Sequence, residues 1–210
     1  MQVLSTNIAV PRPSGVRRYA TTGIDKRSAP QLTVTKVGPD YGDGSAAAQD
    51  FIGDSEHHGG ADKALYAFAR EELDYWEGEL ERTLNDGCFG ENLTTSGIDW
   101  TTTLINQRVH IGEVILEVSI PRQPCATFAA WMDIKGWVKT FTQRGDCGAY
   151  LRVIQPGTIE PGAPIELGPE PEHGITMGTA FAAKMGNKKL AEQVYNSGCM
   201  PAAHQDNYRP

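Results

Sequence analysis

Four cysteines in 210 residues, Cys88, Cys125, Cys147 and Cys199, are too few and too scattered for a disulfide framework. No C-x-x-C pair offers a structural zinc ribbon, and a reducing cytoplasm fits this pattern best. Positive charge is scarce too: 19 Lys and Arg against 26 Asp and Glu leave a formal charge of −7. That argues against a protein that grips a nucleic-acid polymer, because such binding neutralises phosphates with many cations. A small anionic ligand held by a few local cations stays open. No apolar run of about 18 residues exists, so no membrane-spanning helix is expected. The start "MQVLSTNIAVPRPSG" also lacks the basic opening and unbroken apolar middle of a signal peptide.

What is present supports a soluble core, with 40% hydrophobic residues and 21% charged ones. The first half reads as short strands between glycine- and proline-rich turns, with "VLSTNIAV" and "QLTVTKV" enriched in β-branched residues. From Glu71 to Leu84 the period changes: Leu73, Trp76, Leu80 and Leu84 fall on one face of an amphipathic helix. "INQRVHIGEVILEVSI" returns to strands that meet near Gly112. "ATFAAWMDIKGWVKTFTQRG" is helical, anchored by Phe128, Trp131, Trp137 and Phe141, with a break expected at Gly136. "AYLRVIQPGTIEPGAPIEL" is strand, turn and strand. Many short strands with few helices predict a β-rich α+β fold, a mixed sheet closed into a barrel so that its edges are not exposed. Beyond Gly168 the texture shifts to two short helical patterns, the second ending at Gly198. The expected division is a barrel domain over 1–168 and a small helical appendage over 169–210, which must pack on the barrel or on a partner chain.

Three stretches could carry chemistry. In "SIPRQPC" an alternating strand stops at Pro121, and Cys125 follows a second proline. A lone cysteine is first read as a small buried hydrophobe. Arg122 and the two rigid prolines add a second reading, a pinned loop presenting a thiolate beside a cation. In "EHHGGADKALYAF", Gly59 and Gly60 free the backbone to approach a ligand and Lys63 follows closely, chemistry suited to an anion. The spacing is not that of a P-loop. His57 reads as a surface histidine; His58, joined to the glycines, is the functional candidate. In "CFGENLTT", Gly90 takes a special φ, while Glu91 and Asn92 either cap an ordinary loop or recognise a heterocycle. Arg12 and Lys26 are loop cations that would add anion contacts if they converge on the site.

Taken in order, "HHGGADKALYAF", "FGENLTTSGI", "IGEVILEVSIPRQPC" and "GAYLRVIQPGTIEPGAPIEL" resemble the molybdenum-cofactor sulfurase C-terminal (MOSC) domain family, in its stand-alone bacterial branch. The tail resembles the three-helix appendage often fused behind such domains. The resemblance implies a barrel-like domain whose pocket binds the molybdenum cofactor (molybdopterin), with Cys125 as metal ligand and central chemical residue. It places His58, Gly59, Gly60 and Lys63 at the anionic end of the pocket, and Gly90, Glu91 and Asn92 beside the pterin. The implied activity is reduction of N-hydroxylated compounds, a detoxification of N-hydroxylated bases. The chain shows no electron-donor module, so this activity calls for a separate donor protein. The alternative is a carrier that delivers activated sulfur or the cofactor without turnover. A small-molecule substrate, no membrane and a cytoplasmic location complete the expectation, and a homodimer is left open.

Overall fold

The computed structural model describes residues 1–209. Its strands are β1 (Gln2–Ala9), β2 (Arg12–Pro13), β3 (Thr21–Thr22), β4 (Lys26–Ala29), β5 (Leu32–Val34), β6 (Leu65–Ala69), β7 (Leu93–Ser96), β8 (Arg108–Ile111), β9 (Val114–Val118), β10 (Ala149–Gln155), β11 (Gly157–Ile159) and β12 (Ile165–Leu167). Eight of them form one mixed sheet in the order β12-β8-β9-β10-β6-β7-β1-β4. Only β6 and β7 run parallel, and α1 (Arg70–Leu80) makes the crossover that a parallel pair requires. The sheet curls until its ends approach: the Val3 amide donates to the Ala163 carbonyl at 2.9 Å and Ile165 to Met1 at 3.0 Å. This near-closure hides edges that would otherwise template aggregation.

Local chemistry accounts for the elements. The β8–β9 hairpin turns at Gly112, whose φ of 59° an L-residue adopts at a cost. Helix α1 buries Leu73 and Trp76 as the spacing predicts, but it stops at Leu80 where Glu81 turns left-handed. Leu84 therefore reaches the core from a loop, and its amide is captured by Glu77 Oε1 at 2.8 Å. Of "QLTVTKV" only Leu32–Val34 becomes a strand, paired with β11 in a separate ribbon. Two further helices, α2 (Ala126–Met132) and α3 (Trp137–Arg144), are separated at Gly136, which adopts φ 79°. They close one side of the barrel through Phe128, Trp137 and Phe141, packed on Phe68, Trp76 and Phe89. Edge-on pairs of this kind contribute about 0.5–1.5 kcal/mol each beyond their burial.

The tail forms α4 (Met177–Lys184), α5 (Lys188–Ser197) and α6 (Ala202–Gln205). It lies on the barrel and is held through its backbone: Met177 donates to the Thr103 carbonyl at 2.8 Å and Ile105 to Ile175 at 3.0 Å. Asn106 Nδ2 adds a bond to the Cys199 carbonyl at 2.7 Å. No helix among the described residues is long and apolar enough to cross a membrane.

Candidate functional site

The ladder of β9 and β10 continues past Val118, with Ser119 donating to Tyr150 at 2.9 Å and Tyr150 to Ile120 at 3.1 Å. Pro121 has no amide to offer, so pairing ends there and the chain turns across the barrel mouth. Arg122 points inward and is only 6% exposed. Its guanidinium carbon lies 3.9 Å from the Phe128 ring centroid and 5.1 Å from that of Tyr66. Nη1 is buried without a hydrogen-bond partner among the described residues. A guanidinium does not discharge in a protein, so this is a charged donor waiting for an acceptor.

Cys125 follows at the start of α2, partly buried, and lines two adjoining cavities. The inner chamber, about 110 Å³, also meets Asp50, His58, Gly90, Asn92 and Arg122. The outer cleft, about 480 Å³, lies between the Cys125 loop, the 54–63 segment and the appendage residues Lys184, His204, Asn207 and Tyr208. Together they reach the size of ordinary small-molecule sites. Among the described residues Cys125 is the sole cysteine lining them. Burial pushes the thiols of Cys88, Cys147 and Cys199 up, which keeps those three inert.

The inner chamber is lined by Lys63, Asp54 and Arg122, and by one buried ion pair. Lys26 does line it, but both Asp50 oxygens lie 2.6 Å from its Nζ. Burial raises the Asp50 carboxyl, and Lys26, Asn92 and the Ala9 amide outweigh that and hold it below the usual carboxylate range. Asn92 spends its amide on Asp50 at 2.9 Å and on the Asn7 carbonyl at 3.2 Å, while its Oδ1 accepts from Tyr66 at 3.2 Å. Burial, then the charge of Lys63, pushes His58 down to about 4, so its imidazole is neutral at pH 7. The Tyr150 hydroxyl lies 3.4 Å from His58 Nδ1, and burial pushes its phenol up to about 12.

Several sequence expectations need correction. The "EHHGG" stretch is a turn, and its amides do not form an anion cradle: Gly60 donates to the Gly44 carbonyl at 3.1 Å and Ala61 to Gly38 at 2.8 Å. Gly60 is required because a Cβ there would collide with the Asp40 carbonyl, and it does not line the cavity. Gly59 does. Glu91 is fully buried behind the chamber wall, accepting from the Gly87 amide at 2.6 Å, from Phe89 at 3.0 Å and from the Thr94 hydroxyl at 3.0 Å. It shapes the loop that presents Gly90 and does not face a ligand. Arg12 does not converge on the site either, since Asp25 holds it at 2.8 Å on another face. Lys63 does converge: its Nζ donates to the His57 carbonyl at 2.6 Å and lies 4.5 Å from the Tyr41 ring centroid. Burial and then Lys184 push its pKa down to about 8.

Sequence reasoning missed Asp50, Tyr150, Lys184 and His204. Nothing local distinguishes Asp50 in "AAAQD" or Lys184 in "FAAKMG", because both reach the site only through tertiary packing.

A curled mixed sheet with peripheral helices, whose mouth holds a proline-framed cysteine beside a buried arginine, defines a small barrel-like domain. The MOSC domain model matches residues 54–166, more than half of the sequence, and the chain belongs to the MOSC domain family. It is 35% identical over 176 residues to the uncharacterized protein YflK of Bacillus subtilis, covering 83% of this chain and 76% of that protein. It is 31% identical over 128 residues to a reductase of Gibberella moniliformis, a match covering 58% of this chain and 23% of that longer protein. The crystal structure of YiiM from Geobacillus stearothermophilus superposes with a TM-score of 0.75 at 27% identity, covering 99% of this chain and 96% of that one. MOSC domains are associated with the molybdenum cofactor, and the residues present suit such a group: a soft sulfur donor, and a buried cation with an unused hydrogen.

Proposed function

We propose that the protein binds the molybdenum cofactor and reduces N-hydroxylated compounds, with Cys125 as the protein's metal ligand. The observation that carries this reading is Cys125 opening onto a cavity beside the buried Arg122, whose Nη1 has no hydrogen-bond partner among the described residues. When bound, the cofactor supplies the two-electron chemistry, and the chain supplies positioning and electrostatics. Arg122 holds an anionic part of the cofactor. Gly59 and Gly90 let it approach the backbone, and the saturated Lys26–Asp50–Asn92 cluster gives it a rigid floor. The pair Tyr150 and His58, both neutral at pH 7, offers a polar wall for an uncharged N–OH group. The overall change is R–NHOH plus two protons and two electrons to R–NH2 plus water, with the N–O bond broken. The electrons come from a separate donor protein, consistent with a cytoplasmic setting.

The test is molybdenum content per chain for protein made in a cofactor-producing host, followed by reduction of an N-hydroxylated base. Wild-type protein should carry about one molybdenum and Cys125→Ala none, with circular dichroism confirming that the variant folds. Equal metal in both proteins would refute the role of Cys125; metal without turnover would favour a carrier.

A further inference from the structure

Lys184, at the end of α4, enters the outer cleft from the appendage, where Lys63 of the barrel also opens. Its Nζ lies 5.7 Å from the Tyr208 ring centroid. Neither lysine forms an ion pair with a carboxylate among the described residues. The nearby acids are engaged elsewhere. Asp62 meets Arg152 at 2.8 Å and His204 at 3.5 Å, and Asp54 lies 3.1 Å from His57. Lys63 directs one hydrogen to the His57 carbonyl, which leaves two of its three donors free. Burial depresses the pKa of both lysines, and Lys184 is the largest charged contributor to the fall at Lys63. Two ammonium groups facing one partly desolvated volume repel, and an anion between them converts that repulsion into attraction.

We propose that the outer cleft is a phosphomonoester subsite completed by the appendage, with Lys63 and Lys184 as its two ammonium donors. A phosphomonoester carries about −1.5 to −2 at pH 7 and three acceptor oxygens, which matches a pair of ammonium groups better than a single carboxylate does. The cleft's volume of about 480 Å³ leaves room for the group that the phosphate is attached to. His204 and Arg152, meeting on Asp62, are positioning residues that fix the appendage against the segment carrying Lys63. On the reading proposed above, this deepens the substrate class to an N-hydroxylated nucleoside phosphate, base toward Cys125 and phosphate toward the lysines. The same chemistry would also hold the phosphate of the cofactor itself.

The experiment is binding of adenosine 5′-monophosphate and of adenosine to the full chain, cofactor-free and cofactor-loaded, by calorimetry. The cofactor-free arm needs no molybdenum and no turnover, so it stands or falls apart from the reductase reading. The monophosphate should bind about tenfold or more tightly than the nucleoside, the scale of one charge-assisted contact. Lys184→Gln should remove that preference and Lys184→Arg should keep it, with melting temperatures confirming both folds. A preference that persists in loaded protein assigns the subsite to the substrate; one confined to cofactor-free protein assigns it to the cofactor's phosphate. Equal binding of the two probes in both forms, or an undiminished preference in Lys184→Gln, overturns the proposal.

Discussion

In the inner chamber Lys26 meets Asp50 and every polar atom of Asn92 is engaged, whereas in the outer cleft Lys63 and Lys184 share one volume with no carboxylate bonded to either. The two cavities share Cys125, Tyr150, His58 and Lys63 as wall, yet the cation that each adds is treated in opposite ways: Lys26 is paired and Lys184 is not. A buried ion pair with all its lone pairs used is a rigid construction element, costly to break and indifferent to ligands. Cations at a cleft with no carboxylate partner keep donors available for what binds there. One exception inside the chamber is Arg122, whose Nη1 has no hydrogen-bond partner among the described residues.

The sharpest way to break this contrast is at Asp50. Asp50→Ala strands the Lys26 ammonium, 8% exposed, and removes the acceptor of Asn92, Ser45 and the Ala9 amide. Loss of one partner of a buried pair should destabilise by about 3–5 kcal/mol, measured by urea unfolding. The double variant Lys26→Met with Asp50→Leu should recover much of that, because the unpaired charge goes too. A loss under about 1 kcal/mol for Asp50→Ala would show that the pair is not structural.

The next effect is on pH. Burial pushes the Glu91 carboxyl up to about 7 despite its three hydrogen bonds. Its folded pKa lies above the unfolded value, so the folded state binds more protons between about 4.5 and 7 and its contribution is lost as pH rises through that window. Burial also raises Asp146, to about 6, which acts in the same sense, while the depressed pKa of His58 acts in the opposite one. Glu91→Gln isolates the carboxyl: the wild type should lose up to about 3 kcal/mol relative to the variant between pH 5 and 8. Parallel stability curves for the two proteins would refute it.

The contrast between the chambers also explains what the sequence made legible. Periodicity found α1, the β8–β9 hairpin and the Gly136 break because each is decided by neighbours a few residues away. Cys125, Arg122, His58, Lys63 and Gly90, which all line the inner chamber, were legible because prolines and glycines punctuate their loops. Glu91 and Gly60 were misplaced because a motif shows that a loop is unusual and not which of its residues faces inward. Lys26 was identified as a cation, but its neutralisation by Asp50, 24 residues away, is a tertiary fact. Lys184 lay in the tail, where a helical pattern carries no sign that one end closes a cleft.

Arg122 offers a smaller and cleaner test. Arg122→Met keeps an apolar stem against Phe128 and Tyr66 while removing the unused donor. Cofactor retention, read as molybdenum per chain after dialysis, should fall by about tenfold in affinity, with little change in unfolding free energy. A large loss of stability with unchanged retention would instead make Arg122 a packing residue.

The smallest effect is the most telling because its sign reverses. Breaking the Lys26–Asp50 pair beneath the inner chamber destabilises; removing Lys184 from the outer cleft should stabilise. Lys184→Gln relieves its repulsion of Lys63 without orphaning any acid, so the variant should gain a few tenths of a kcal/mol at pH 7, the usual scale for partly exposed charges. The penalty that Lys184 imposes is full while Lys63 is protonated and fades as pH rises through its folded pKa of about 8. The gain should therefore shrink between pH 8 and 10, measured as the difference between the two unfolding curves. A variant less stable than wild type at pH 7 would mean that Lys184 already has a partner in the fold, and the cleft would then resemble the chamber beneath it.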